Sequence, residues 1–317
     1  MFSVIITEYN TAERTFKYLC DFIDKCSVRD YNFVIVDNSV NHDNYEQLNR
    51  RLIDDGYSVE SIHHNTSKDA VFLKYSKLDI DVFYYTDFTN NGFAKANNIG
   101  AGIAKKQNAD INYYLFSNSD IMFNDRLNIS EMIDVLESND TYALIGPKVV
   151  GIDGKPQSPC KYINIFKRHI IPYLLWPLNI LIPPLRRMSY DADYDARSGE
   201  VYRIIGAFML IKARSFDKVC GFDPNTFLYC EESILSERLA SIGCKVFYDP
   251  NVVIIHEQGV STNETINTDK VNIINKKERL FNSEIYYYKN YRNYNNIVIT
   301  LDKVCFMFYR LKLRILL

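Results

Sequence analysis

Short apolar runs alternate with amphipathic stretches along the first half of the chain. Residues 2–7 (Phe-Ser-Val-Ile-Ile-Thr) predict a strand at once. Over residues 11–25, Phe16, Leu19, Cys20 and Ile23 recur at helical spacing. Phe33-Val34-Ile35-Val36 predicts a second buried strand, ending at Asp37-Asn38-Ser39. A polar helix is expected around 45–54, a strand over 81–86, and a helix from 93 to about 106, entered through the turn Asn91-Gly92. The strand Tyr113–Phe116 then closes on Asn118-Ser119-Asp120. This β-α-β-α order predicts an α/β fold with a mostly parallel, three-layer sheet.

The second half is less regular. Residues 201–212 read as one strand through Ile204, Ile205, Phe208, Leu210 and Ile211. Residues 216–224 predict a short helix running into a turn. Phe227-Leu228-Tyr229-Cys230 reads as a strand ending at Glu231-Glu232, and residues 231–242 as an amphipathic helix stopped by Gly243. Residues 246–248 and 252–255 predict two strands, the latter leading to His256. From about residue 276 the chain is rich in Tyr and Lys/Arg and reads as helical.

Bulk properties narrow the classes. A chain of 317 residues with 47% hydrophobic content can build a large core, and a net charge of −2 gives no case for nucleic acid. The 7 cysteines are scattered without a C-x-x-C pair, which argues against a zinc site or a disulfide framework and for a reduced, cytoplasmic setting. No leader is expected ahead of the first strand. No apolar run reaches the ~20 residues of a membrane span. The nearest, 170–185, is broken by Pro172, Pro177, Pro183 and Pro184.

Three carboxylate signals follow apolar runs in order: Asp37, Asp120 and Glu231-Glu232. Each alone is an ordinary solvated strand end. Together they match transfer from a nucleotide sugar. One acid can recognise base or ribose, one can hold the divalent ion on a diphosphate, and one can take a proton from the attacking hydroxyl. The carboxyl edge of an open α/β sheet is where such a ligand binds.

The residues carry a family resemblance. Val4-Ile5-Ile6-Thr7-Glu8-Tyr9-Asn10, Val34-Ile35-Val36-Asp37-Asn38-Ser39, the Asn91–Gly100 stretch with Gly92, Lys95 and Asn97-Asn98, and Leu115-Phe116-Ser117-Asn118-Ser119-Asp120 follow one another in the chain. Gly206-Ala207-Phe208-Met209-Leu210, Gly221-Phe222-Asp223 and Phe227–Glu232 complete the series. In order and spacing the chain resembles a family 2 glycosyltransferase of the GT-A fold, close to rhamnosyltransferase-like members of bacterial polysaccharide pathways. The resemblance implies a Rossmann-like central sheet with a nucleotide-sugar half (1–150), an acceptor and catalytic-base half (151–265) and a helical C-terminal tail (266–317). It implies that Thr7, Tyr9, Asn10, Asp37, Asn38, Asn91, Gly92, Lys95, Asn97, Asn118 and Ser119 meet the donor. It puts Gly206, Ala207 and Phe208 on the acceptor side. Asp120 and His256 would hold Mn²⁺ or Mg²⁺, and Glu232 would be the base, with Glu231 next to it. The donor would be dTDP-rhamnose or a UDP-hexose, and the acceptor a saccharide, lipid-linked in capsule or O-antigen synthesis.

Departures and alternatives accompany this reading. Asn118 replaces the first Asp of a D-x-D motif, Glu232 stands where the family has Asp, and Ile234 replaces a later acid. His256 is either a metal ligand or a structural hydrogen-bonder. Lys95 either reaches a phosphate or is solvated. Gly100-Ala101-Gly102 follows no strand, so small residues packing a helix on the sheet explain it better than a dinucleotide loop. The 160–188 insertion (Lys161, Lys167, Arg168, Arg186 and Arg187 around Trp176) and the tail (Lys303, Arg310, Lys312 and Arg314 among Phe306, Phe308, Leu311, Leu313 and Ile315) combine basic and apolar residues. Both suit peripheral contact with the cytoplasmic face of a membrane. A nucleotidyltransferase is disfavoured by the acidic Glu8-Tyr9-Asn10-Thr11-Ala12-Glu13 turn, and a non-catalytic sugar-nucleotide or glycan binder by the intact acids.

Overall fold

The computed structural model describes residues 1–62, 70–124, 126–175, 192–193, 195–257 and 270–316. Trp176, Arg186 and Arg187 of the insertion, and Gly259 and Ser261 after His256, lie outside the described residues. So does the side chain of Ile315.

The first strand β1 (Phe2–Glu8) lies between β2 (Tyr31–Asp37) and β6 (Tyr113–Ser117), parallel to both, and β2 pairs in parallel with β5 (Ile80–Thr86). These four strands are the core of the sheet. Their side chains alternate between two apolar layers: Val4, Ile6, Phe33 and Ile35 enter one, Ile5, Val34, Val36 and Phe116 the other. A strand buried on both faces reads as a continuous apolar run, which is why these strands stand out in the sequence. Helix α1 (Ala12–Lys25) covers the first face through Thr15, Tyr18, Leu19 and Phe22, with Phe22 edge-on to Tyr31 and Phe33. Helix α2 (His42–Asp54) joins it. Helix α3 (Gly92–Gln107) covers the second face, and there a Cβ on Gly100 would lie 2.4 Å from Ile5 Cγ2. The small residue is needed for close helix–sheet approach.

Antiparallel strands extend both sides. Strands β3 (Ser58–Ser61) and β4 (Val71–Lys77) add beyond β5. On the other side β10 (Phe208–Lys212) joins β6 to β8 (Tyr142–Gly151), and β11 (Lys245–His256) runs parallel to β8. The short strands β7 (Ile121–Met122) and β9 (Gly199–Val201) pair with β11, and helices α4 (Ile129–Glu137) and α6 (Ala213–Lys218) fill the connections.

Four expectations need correction. Residues 201–212 are not one strand: Val201 ends β9, the chain leaves the sheet, and β10 starts at Phe208. Ile204, which reads as a strand residue, instead packs its side chain against Gly146. Residues 245–256 form one strand rather than two, with a register irregularity between Asp249 and Val253 opposite Pro147. A bulge accommodates the prolines that make both segments look broken. Residues 227–230 are not a strand. Tyr229 and Cys230 take φ of 78° and 70°, and Glu231 opens helix α7 (Glu231–Ser241). Phe208 is a fully buried core residue on β10, so it does not face an acceptor. Strands β3, β4 and β8 and helix α4 went unread.

A third apolar cluster lies outside the sheet. A π-helical turn, Phe166–Ile170, continues into α5 (Ile171–Leu174) and packs with α8 (Lys270–Asn290) and α9 (Asn296–Leu316) around Phe281, Ile285, Tyr288 and Phe306. Ile234 of α7 belongs to the same cluster and ties it to the helix carrying Glu231 and Glu232.

Candidate active site

Strands β1 and β2 end in register, Glu8 beside Asp37, and β6 ends at the same edge. Two acids so close need partners. Glu8 Oε2 accepts from Thr15 at 2.9 Å and Thr11 at 3.0 Å, while Asn44 Nδ2 donates to Glu8 Oε1 and, at 2.7 Å, to Asp37 Oδ2. Tyr84 donates to the same Asp37 oxygen at 2.6 Å, and Ser39 N to the other at 2.7 Å. Burial, and then the charge of Asp37, hold the Glu8 carboxyl well above its usual range. Asp37 is therefore turned into a buried network. It fixes the Asn38-Ser39 turn, and Asn38 is the residue of this pair that lines the adjoining groove.

That groove, of about 740 Å³, is lined by Thr7, Tyr9, Asn38, Gly92 and Asn118, with α8 on its other wall. The hydroxyl of Thr7 is buried there without a hydrogen-bond partner. A second cavity, of about 640 Å³, is lined by Gly206, Ala207, Glu231, Glu232 and His256. The two meet at Phe93, Asn118, Leu228 and Tyr229. Asn118 is held at the junction by its N–H, which donates to Ala207 O at 3.0 Å.

The other expected donor residues stand behind the groove or away from it. Asn10 takes φ of 54° and donates its N–H to Ser39 Oγ at 2.8 Å. Asn91 donates to Asp87 Oδ1 at 3.2 Å. Asn97 is buried and donates to Phe93 O at 3.0 Å, and Lys95 is exposed outside the groove. Ser119 is buried, 3.3 Å from Thr11 Oγ1. The sequence reading gave no role to Asn98, which donates to Phe222 O at 2.8 Å and accepts from Phe222 N at 2.9 Å. That pair fastens α3 to the Gly221-Phe222-Asp223 turn. Asn44 was missed as well: a single Asn in a polar helix carries no sequence signal that it bridges two buried acids.

Gly92 decides how the two halves meet. It takes φ of +72°, and a Cβ there would lie 2.4 Å from Phe227 O, the carbonyl that accepts from Phe93 N at 3.2 Å. Gly92→Ala is expected to cost about 1–3 kcal/mol in backbone strain alone. It should also lower turnover on the order of 10²-fold by displacing the segment that leads to Glu232. Denaturant unfolding and steady-state rates test this; an unchanged unfolding midpoint would count against it.

Glu231 and Glu232 begin α7, where the helix N-terminus favours negative charge. Their environments differ. Glu232 is half-buried, and its Oε1 accepts from Gly206 N at 2.8 Å. Glu231 is buried with Oε1 unpartnered, and burial, then the charge of Glu232, push its carboxyl up to about 8. The folded protein thus keeps a proton on Glu231 between about 4.5, where the unfolded chain releases it, and about 8. Stability from this group falls as pH rises through that window. Glu231→Gln is expected to raise the melting temperature relative to wild type increasingly from pH 5 to 8.5, and a pH-independent difference would refute the assignment.

Asp120 and His256 meet at the end of β11. Asp120 Oδ1 is buried, makes no hydrogen bond, and lies 3.3 Å from His256 Nε2. His256 Nδ1 is 2.7 Å from Gln157 Oε1, which orients the ring. An orphaned carboxylate oxygen facing an imidazole nitrogen fits a divalent ion. Among the described residues no group of three or more His, Cys, Asp or Glu surrounds such a point, so the protein's share of a coordination shell there is small.

No protein-family model matches the chain. Over 201 residues, 60% of this chain and 70% of the relative, it is 27% identical to the rhamnosyltransferase WbbL of Escherichia coli K12. Over 137 residues, 42% of this chain and 43% of the relative, it is 23% identical to the N-acetylglucosaminyl-diphospho-decaprenol L-rhamnosyltransferase of Mycobacterium tuberculosis. The fold is similar to that of the mannosyltransferase PcManGT from Pyrobaculum calidifontis, solved with GDP-Man and Mn²⁺, with a TM-score of 0.55 at 11% identity, covering 96% of this chain and 69% of that one. It is also similar to GalNAc-T7, solved with UDP, GalNAc and Mn²⁺, with a TM-score of 0.52 at 13% identity, covering 81% and 43%. Sequence relatives and fold agree: the chain is a glycosyltransferase of the GT-A fold, similar in sequence to rhamnosyltransferases.

Proposed function

We propose that the chain is an inverting glycosyltransferase that moves a sugar, rhamnose from dTDP-rhamnose or a hexose from a UDP-hexose, to a lipid-linked saccharide in polysaccharide synthesis. One observation carries this reading: two cavities meet at Asn118, one lined by the Thr7, Asn38 and Gly92 turns and the other by Glu231 and Glu232. A donor sugar lying at that junction has the carboxylates on its acceptor side. Glu232, fixed by Gly206 N, accepts the proton of the acceptor hydroxyl as its oxygen attacks the anomeric carbon opposite the diphosphate. The bond to the diphosphate oxygen breaks, and single displacement inverts the carbon. Glu231, buried and still protonated at neutral pH, is the less suited of the pair to take that proton. Asp120 and His256 would hold Mn²⁺ or Mg²⁺, which supplies charge stabilisation to the leaving diphosphate when bound.

The acceptor class draws support from the tail. Ile297, Leu301, Val304, Phe308 and Leu311 recur along α9 at helical spacing and are all exposed, Ile297 by 80% and Phe308 by 60%. Leu174 and Leu175 are exposed on the adjoining segment. Lys303 and Arg314 lie on the same helix. Among the described residues no helix is long and apolar enough to cross a membrane. A surface helix with an apolar stripe and basic residues suits an anionic bilayer. The full chain is expected to float with phosphatidylglycerol vesicles at low salt, and Ile297→Ser with Phe308→Ser to lower the bound fraction several-fold. No flotation of wild type would remove the membrane contact.

Release of nucleoside diphosphate from a panel of sugar nucleotides, with and without EDTA, tests the activity. Release of pyrophosphate instead would mark a nucleotidyltransferase, and binding without release a non-catalytic relative.

A further inference from the structure

The donor-side groove has a wall that the family motifs do not supply. Lys276, Lys277 and Arg279 of α8 line it opposite Thr7, Asn38 and Gly92. Their spacing puts them, with Asn272 and Ile273, on one side of the helix. All three present accessible surface to the groove, and the ammonium of Lys277 is the most enclosed of them. The acids of α8 are engaged elsewhere: Glu278 takes Arg310 at 2.7 Å, and Glu284 takes Arg168 and His169, each at 2.7 Å. Among the described residues that line the groove, Glu8 is the carboxylate. It is 1% exposed, saturated by Thr11, Thr15 and Asn44, and biased toward its neutral form. The described lining of the groove is therefore cationic. Burial, and the charges of Lys276 and Arg168 acting against the pull of Glu284, hold the Lys277 ammonium below its usual range. A bound anion would relieve that crowding. At the junction the chain offers a metal little beyond Asp120 and His256, because Asn118 has replaced a carboxylate.

We propose that Lys276, Lys277 and Arg279 bind the diphosphate of the sugar nucleotide, and that α8 supplies much of the positive charge which the thinned metal motif lacks. The assignment rests on the donor reading given above. As the anomeric C–O bond breaks, its electron pair passes to the diphosphate oxygen, and the cations stabilise that charge while the acceptor proton passes to Glu232. Nucleoside diphosphate binding then persists when divalent metal is removed.

Isothermal titration of the full chain with UDP, dTDP and inorganic pyrophosphate, in EDTA and then in Mn²⁺, tests this. Wild type is expected to bind UDP or dTDP in EDTA. Changing Lys276, Lys277 and Arg279 together to Gln should weaken that binding by about tenfold per charge lost. It should also flatten the dependence on salt. Lys276→Arg with Lys277→Arg should restore most of the affinity, and Lys289→Gln, on α8 outside the groove, should leave it unchanged. Unchanged melting temperatures guard against misfolding. Equal binding by wild type and the triple Gln variant would overturn the inference and leave the donor reading standing. So would a triple variant that loses only phosphatidylglycerol vesicle binding. Failure of wild type to bind either nucleotide even in Mn²⁺ would overturn both.

Discussion

Glu232→Gln is expected to lower turnover by about 10²–10⁴-fold, the usual worth of a positioned general base, while nucleoside diphosphate binding stays within about twofold. The substitution keeps the size of the side chain. It can also keep the bond from Gly206 N, because the amide oxygen still accepts at the position where Oε1 now accepts at 2.8 Å. What it removes is the capacity to take a proton. Glu231 cannot readily substitute: it is buried, and its carboxyl holds its proton up to about 8. Turnover and titration with UDP or dTDP on the same preparation separate the two effects. Near-normal turnover would remove Glu232 from the role and direct attention to Glu231.

His169→Ala is expected to cost about 3–5 kcal/mol, the penalty for breaking a buried ion pair by deleting one partner. His169 lies between two acids, with Nδ1 2.8 Å from Asp302 and Nε2 2.7 Å from Glu284, and all three are buried. Burial alone would favour the neutral imidazole, but Glu284 and Asp302 outweigh it and raise the ring to about 9. Burial opposes the charge on Glu284 as well, yet His169 and Arg168 lower that carboxyl to about 2. Burial raises Asp302 above its usual range, with His169 acting against that shift. The contribution of His169 is complete below about 6.5 and lost as pH rises through about 9. That of Glu284 is complete above about 4.5 and lost as pH falls toward about 2. Docking of α8 and α9 should be firmest between those limits, near pH 5–6. Denaturant unfolding of wild type and variant across pH 3–9 measures it, and a loss below 1 kcal/mol would refute the assignment. Because Ile234 joins the same apolar cluster, a variant that undocks these helices should lose activity as well.

The parallel core was legible because strands buried on both faces are continuous apolar runs, as in Val4-Ile5-Ile6 and Phe33-Val34-Ile35-Val36. Edge strands gave weaker signals. Every residue of Ser58-Val59-Glu60-Ser61 is exposed in β3, so no apolar face announces it. Strand β8 was hidden by Pro147, which its irregular pairing with β11 accommodates. The turn at 227–230 was misread because Phe-Leu-Tyr-Cys has strand composition, whereas left-handed φ at Tyr229 and Cys230 re-aims the chain into α7.

The sequence by itself determined the sheet core, the helix that carries Glu231-Glu232, and the glycosyltransferase resemblance of the motifs. Those features rest on local periodicity and on residue types at short spacing. Only the tertiary structure decided what each acid can do. Asp37 and Asp120 both follow apolar runs, yet Asn44 and Tyr84, neither adjacent in sequence, turn Asp37 into a buried network. Asp120 keeps an unpartnered oxygen toward His256, more than a hundred residues away. The basic residues of α8 read as part of a tail, and long-range packing brings them to the groove opposite Thr7. Charge and proton affinity depend on burial and on neighbours distant in the chain, and those are properties of the folded molecule.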